Sequence, residues 1–262
     1  MSRERAREIS IDLNCDMGES FGPWRMGADA AVMPHITSAN VACGAHAGDP
    51  VVMRNTVRLA RAAGVAIGAH PGFADLQGFG RREITVDPVE LEAFLIAQIG
   101  ALAAIASAEG ATLQHVKPHG ALYNMAARDR RLADAIARAV AVFDPSPILF
   151  GLPNSALIDA GRGAGLRVAA EGFADRAYEP DGSLTPRSRA GAVIDDPDAV
   201  VARAVRMVRE GVVLTPAGDQ VALRVDTICV HGDTPGAPEL ARRIREALRA
   251  NGADVASVGG WL

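Results

Sequence analysis

Ile9-Ser10-Ile11-Asp12-Leu13-Asn14 alternates apolar and polar side chains, the period of a β-strand with one apolar and one polar face. The next residues, Cys15-Asp16-Met17-Gly18-Glu19, contain no Gly-x-Gly-x-x-Gly turn, and no Gly-x-x-x-x-Gly-Lys-Ser/Thr occurs anywhere in the chain. Six further strand-like runs, at 36–41, 65–69, 113–117, 148–151, 166–170 and 225–230, alternate with helical patterns. Three of those helices open on Asp-Pro, at Asp49-Pro50, Asp87-Pro88 and Asp196-Pro197, with Asp placed to cap and Pro placed in the first turn. Others are expected over 25–34, 128–142, 155–160 and 238–250. Strand-then-helix alternation calls for a parallel sheet. Without the two nucleotide signatures of open sheets, the expectation is α/β with a closed (β/α) barrel built on these seven parallel strands. It should fill residues 9–255 as one domain, with an extended or disordered tail at 1–8 and a C-terminal tail at 256–262.

The composition agrees. Hydrophobic residues are 49% of the 262 and aromatics only 4%, so the core must be aliphatic, as suits helices packed on a parallel sheet. A net charge of −4 with dispersed arginines argues against a nucleic-acid partner. The segment 93–106 is apolar but too short to span a bilayer, so it reads as a buried helix and no membrane association is expected. The charged start, MSRERAREIS, lacks an apolar signal core. Three widely spaced cysteines, Cys15, Cys43 and Cys229, fit a reducing compartment, and the cytoplasm is the expected location.

Unusual polar residues follow strand after strand at the C-terminal end, where an α/β barrel gathers its active site. Asp12 is singled out because a carboxylate within a buried strand is costly unless partnered. For Asp16 and Glu19, function and loop-holding weigh equally. Period 2 places His115, Lys117 and His119 on one side, and a lysine facing a barrel interior needs an anionic partner or a chemical task. Its alternative is an ion pair with Asp12 or Glu171. His46, His70, His119 and His231 each sit at a strand end. One such histidine is ordinarily a satisfied core residue, but four together point to a site. The expected catalytic set is Asp12, His70, Lys117 and His119. Asn14, Asn40, His46, Glu171, Arg187, His231 and Asp233 are expected to contact substrate, Arg187 by a two-pronged grip on a carboxylate. No Ser/His/Asp triad or Gly-x-Ser-x-Gly is present.

Six segments carry a resemblance: IDLNCDMGESFG (11–22), SANVACGAHAGDP (38–50), GAHPGFADLQGFGRR (68–82), VKPHGALYN (116–124), AEGFADRAY (170–178) and CVHGDTP (229–235). Together they resemble the LamB/YcsF family, in order, over roughly residues 9 to 255. The resemblance implies a distorted (β/α) barrel of about seven parallel strands, glycoside hydrolase/deacetylase-like. It also implies ATP-dependent 5-oxoprolinase activity, cleaving 5-oxo-L-proline to L-glutamate with hydrolysis of ATP to ADP and phosphate; for that reaction His70 or His119 would be the base and Lys117 would stabilise a developing oxyanion or a phosphate. The chain would act with 5-oxoprolinase subunits B and C, and ATP with Mg²⁺ would be handled through the complex. Two other readings stay open. In one, a metal-dependent amidohydrolase or deacetylase uses Asp12, His46, His70 and His231 as ligands to Zn²⁺, although tight ligand spacing is missing. In the other, the chain is a non-catalytic binding component. Self-association is also left open.

Overall fold

The computed structural model describes residues 9–230 and 236–262. In chain order the elements are β1 (Ile9–Met17), α1 (Asp29–Val32), β2 (Ser38–Ala42), α2 (Pro50–Ala63), β3 (Ala66–His70), α3 (Pro88–Ala108), β4 (Leu113–Val116), α4 (Gly120–Ala126), α5 (Arg130–Phe143), β5 (Ile148–Gly151), α6 (Ala156–Gly163), β6 (Val168–Phe173), α7 (Pro197–Glu210), β7 (Val212–Leu214), β8 (Gln220–Ala222), β9 (Thr227–Val230), α8 (Ala237–Ala250) and β10 (Ala253–Val255). Among the described residues, seven parallel strands run β1-β2-β3-β4-β5-β6-β9 and close by pairing of β9 with β1. The expected closed barrel is therefore what the chain forms. β10 adds in parallel to the beginning of β1, and β7–β8 is an antiparallel hairpin outside the barrel.

Alternation along β1 explains the layering. Ile11, Leu13, Cys15 and Met17 belong to the apolar core, while Asp12, Asn14 and Asp16 take the opposite parity and point into the barrel. The helices pack outside. Asp49, Asp87 and Asp196 each accept backbone N–H groups at the start of α2, α3 and α7, as their Asp-Pro pairs predict. α3 has 21 residues and is apolar and long enough to cross a membrane by composition. Here Leu91, Leu95, Ile99, Leu102 and Ala106 bury against the core, and the Gln98 amide clasps the backbone N–H and C=O of Gly72.

Several boundaries differ from the sequence reading, with consequences for the site. β1 continues to Met17, so Asp12 lies deep and Asp16 occupies the rim. β6 starts later and runs on to Phe173, so Glu171 sits within the strand, level with Thr227, and not at its end. The helical region expected at 25–34 shrinks to α1 and a 3₁₀ turn (Met33–His35), interrupted by Pro34. An additional helix, α4, begins at Gly120, whose φ of +57° turns the chain sharply after His119. Residues 256–262, expected as a tail, include a 3₁₀ turn (Val258–Gly260). Val258 is fully buried against Ile148, Phe150 and Ala169. The expected tail at 1–8 lies outside the described residues.

Candidate functional site

A cavity of about 1060 Å³ opens at the C-terminal ends of the strands. Its lining includes Asp16, His70, Lys117, His119, Tyr123, Phe173, Arg176 and Arg187. Four of the expected site residues therefore meet there: His70, Lys117, His119 and Arg187. Asp16 and Arg176 fall outside the expected set. In the sequence Asp16 balances evenly between a functional and a structural role, and only the length of β1 decides for the rim. Arg176 lies inside AEGFADRAY, but one arginine in a loop carries no signal of its own.

Beneath the cavity is a polar floor. The Lys117 ammonium, 3% exposed, reaches Asp16 Oδ1 and Glu171 Oε1, each at 2.8 Å, and also Asn14 Oδ1 at 3.3 Å and Cys229 Sγ at 3.2 Å. Burial opposes its charge, but the carboxylates of Asp16 and Glu171 outweigh burial and hold the group well above the usual lysine range. Asn14 Nδ2 donates to Glu171 Oε1 and Thr227 Oγ1, and Asn40 Nδ2 donates to Asn14 Oδ1 and Asp16 Oδ1. His115 Nε2 completes the row on Asn40 Oδ1 at 2.7 Å. Gly68 makes room for it, since a Cβ there would lie 2.1 Å from the His115 ring.

One layer lower, Asp12 accepts from the hydroxyls of Thr37, Ser38 and Thr227 at 2.7, 2.6 and 2.5 Å. Complete burial pushes its carboxyl up to about 6, with those hydroxyls holding it back. The expectations for Asp12 as catalyst and metal ligand, and for Asn14, Asn40 and Glu171 as substrate contacts, meet a different geometry. All four are fully buried and none lines the cavity; Asn14, Asn40 and Glu171 bond one another, Asn14 and Glu171 also meet the lysine, and Asp12 is held by the three hydroxyls. His231 and Asp233 lie outside the described residues.

Beside the lysine, three histidines and a carboxylate come together. His70 Nδ1 lies 2.7 Å from the Lys117 carbonyl and His119 Nε2 lies 2.8 Å from the Phe79 carbonyl. A carbonyl only accepts, so each of those nitrogens carries the proton. The other two, His70 Nε2 and His119 Nδ1, face each other at 2.9 Å. His46 stacks on His119, with ring centroids 3.7 Å apart and planes 2° from parallel. It is 1% exposed, and neither of its nitrogens has a hydrogen-bond partner. Glu19 Oε1 stands 3.7 Å from both His46 Nε2 and His119 Nδ1. Burial, then the neighbouring histidines, drives His46 well below the ordinary imidazole range, and burial drives His119 down to about 3. A general base works best with a pKa near the operating pH, so His119 is poorly matched to the proton-taking role expected of it. Phe79 holds its carbonyl toward His119 from a left-handed φ of +53°, a strained conformation for a bulky residue. Of the four expected metal ligands, His46 and His70 belong to this group. Asp12 does not, and Glu19 and His119 complete it.

Also in the cavity lining, Arg176 is 5% exposed and donates to the backbone oxygens of Ala192 and Thr185. Burial, then the cations of Arg187 and Arg81, lowers it to about 10. Crowded guanidinium groups on one cavity wall favour an anionic occupant.

The sequence matches the LamB/YcsF family over residues 11–262. The chain belongs to this family. It is similar to a protein of Chloroflexus aggregans named as the A subunit of 5-oxoprolinase, 58% identical across 94% of this chain and 98% of that one. Among solved structures, the lactam utilization protein of Thermus thermophilus superposes with a TM-score of 0.90 at 52% identity, covering 94% of this chain and 99% of the other. A T48 deacetylase, only 14% identical, aligns with a TM-score of 0.50 over 96% of this chain and 89% of its own. At that identity the likeness concerns the fold alone.

Proposed function

We propose that this chain is the A component of an ATP-dependent 5-oxoprolinase, the part that holds 5-oxo-L-proline while its ring amide is opened to L-glutamate. The observation that carries the reading is the rim cavity. Its lining offers Arg176 and Arg187 to a carboxylate and the Lys117–Asp16 pair to the ring amide. The names borne by relatives at this level of identity and coverage support the same substrate.

In this reading Arg187 and Arg176 receive the substrate carboxylate and orient the ring. Asp16, on the rim with Oδ1 2.8 Å from the Lys117 ammonium, takes a proton from the attacking water. Lys117 screens negative charge as it develops on the ring oxygen, and His70 and His119 wall off one side. A resonance-stabilised five-membered amide is a poor electrophile, which gives ATP hydrolysis its role. The chain has no Gly-x-x-x-x-Gly-Lys-Ser/Thr segment, so the nucleotide and its Mg²⁺ are assigned to the assembly with subunits B and C, in the cytoplasm.

The test is glutamate release from 5-oxoproline and ATP, with this chain alone and then with subunits B and C. Release is expected only from the assembly and should fall by at least ~100-fold in Asp16→Asn, as for loss of a general base. Undiminished release from an assembly carrying Asp16→Asn or Arg176→Gln overturns the assignment.

A further inference from the structure

The histidine group beside the cavity has a chemistry that lactam binding does not use. We propose that Glu19, His46, His70 and His119 form a binding site for a divalent transition-metal ion. Their four ligand atoms lie within 4.8 Å of one another, supplied by four different segments at the strand ends. The Lys117 and Phe79 carbonyls fix the protons of His70 and His119 on the far side of each ring. Two bare nitrogen lone pairs consequently face each other at 2.9 Å, an arrangement that repels until a cation enters. His46 supplies a second, separate indication, because a buried imidazole with neither nitrogen hydrogen-bonded is expensive without a ligand.

The backbone around the rings is cut to fit them. A Cβ at Gly72 would sit 2.9 Å from His46 Nδ1, and one at Gly80 would sit 2.8 Å from both His119 Cδ2 and His46 Cβ. The outer hydrogen bonds of His70 and His119 suit the role too, since ligand histidines ordinarily donate their other N–H to a carbonyl or carboxylate. At a metal–nitrogen distance of about 2.05 Å, nitrogens 2.9 Å apart subtend roughly 90°, an octahedral corner or a compressed tetrahedral one. The parallel stack of His46 on His119 has to open for both rings to aim at one ion, and no hydrogen bond restrains His46 from tilting. Three imidazoles and one carboxylate favour Zn²⁺, Co²⁺ or Mn²⁺ over Mg²⁺ or Ca²⁺. The site stands independently of the lactam reading, because its test needs neither substrate nor the B and C subunits.

The tag-free full chain, dialysed against a chelator, is titrated with ZnCl₂, CoCl₂ and MnCl₂ by calorimetry, and the retained metal is counted by mass spectrometry. One equivalent is expected. Affinity should fall at least ~10-fold in His46→Ala and in Glu19→Gln, and stay unchanged in His35→Ala, which lies outside the group. Should a variant fail to fold, the visible spectrum of the wild-type chain with Co²⁺ decides. Ligand-field bands from protein-bound cobalt support the site. Their absence overturns it, as does the lack of stoichiometric binding or affinity unchanged in both folded variants, leaving a shared proton as the occupant between His70 and His119.

Discussion

Replacing Lys117 by Met removes the ammonium and keeps most of the side-chain volume, so the result reports on charge. Glu171 is fully buried, and without the lysine its carboxylate retains Asn14 Nδ2 at 2.9 Å but no cation at 2.8 Å. Deleting one partner of a buried pair costs about 3–5 kcal/mol, because the survivor is left charged in a poor solvent. Asp16 adds less, since its side chain is 15% exposed and water takes over part of the lysine's work. Set against a total stability of roughly 5–15 kcal/mol, that loss is large. Combining Lys117→Met with Glu171→Gln removes the stranded charge, and the double variant should recover part of the loss, with a coupling of about 0.5–3 kcal/mol in a double-mutant cycle. Urea unfolding followed by circular dichroism measures all four corners. Glutamate release by the reconstituted assembly should stay low in the double variant, because stability returns without the cation beside Asp16. If Lys117→Met unfolds within about 1 kcal/mol of wild type, the lysine is not the keystone of a buried network and the reasoning fails.

The carboxyl of Asp12 gives a pH signature. Its pKa in the folded chain is raised to about 6, so folding favours the protonated form. This contribution is fully present below the ordinary aspartate range and is lost as pH rises through about 6, amounting to roughly 3 kcal/mol for a shift of about two units. Unfolding free energies between pH 4 and 7 should show that decline in wild type and not in Asp12→Asn; equal slopes contradict it. Gly68→Ala would drive a methyl into the His115 ring and should cost about 1–3 kcal/mol by overpacking, read as a lowered Tm. An unshifted Tm would mean that His115 moves aside freely.

The barrel is legible in the sequence because its signals are local: apolar alternation, Asp-Pro helix starts and glycine stops each act within a few residues. Lys117 is legible for a related reason, as a cation of barrel-facing parity must meet an anion, and both Asp16 and Glu171 answer it. Depth is not legible. Asp12 and Asp16 share parity on β1, and only the three-dimensional register, Asp12 opposite Thr227 and Asp16 opposite Asn40, sends one to the floor and the other to the rim. The same applies to Glu171, whose strand runs further than its apolar residues indicate. His46 and Glu19 meet His70 and His119 across loops that carry no periodic pattern, so their partnership emerges only once the chain is folded.

The seam that closes the barrel joins β1 to β9, with Asp12 beside Thr227 across 215 positions of chain. On a ribosome, β1 emerges before β9 and must wait, one flank lacking its partner, while the intervening chain is made. Contacts so distant in sequence form late and slowly, which exposes an unpaired strand edge to other nascent chains. Closing that seam is therefore the step by which the barrel removes its last open edge.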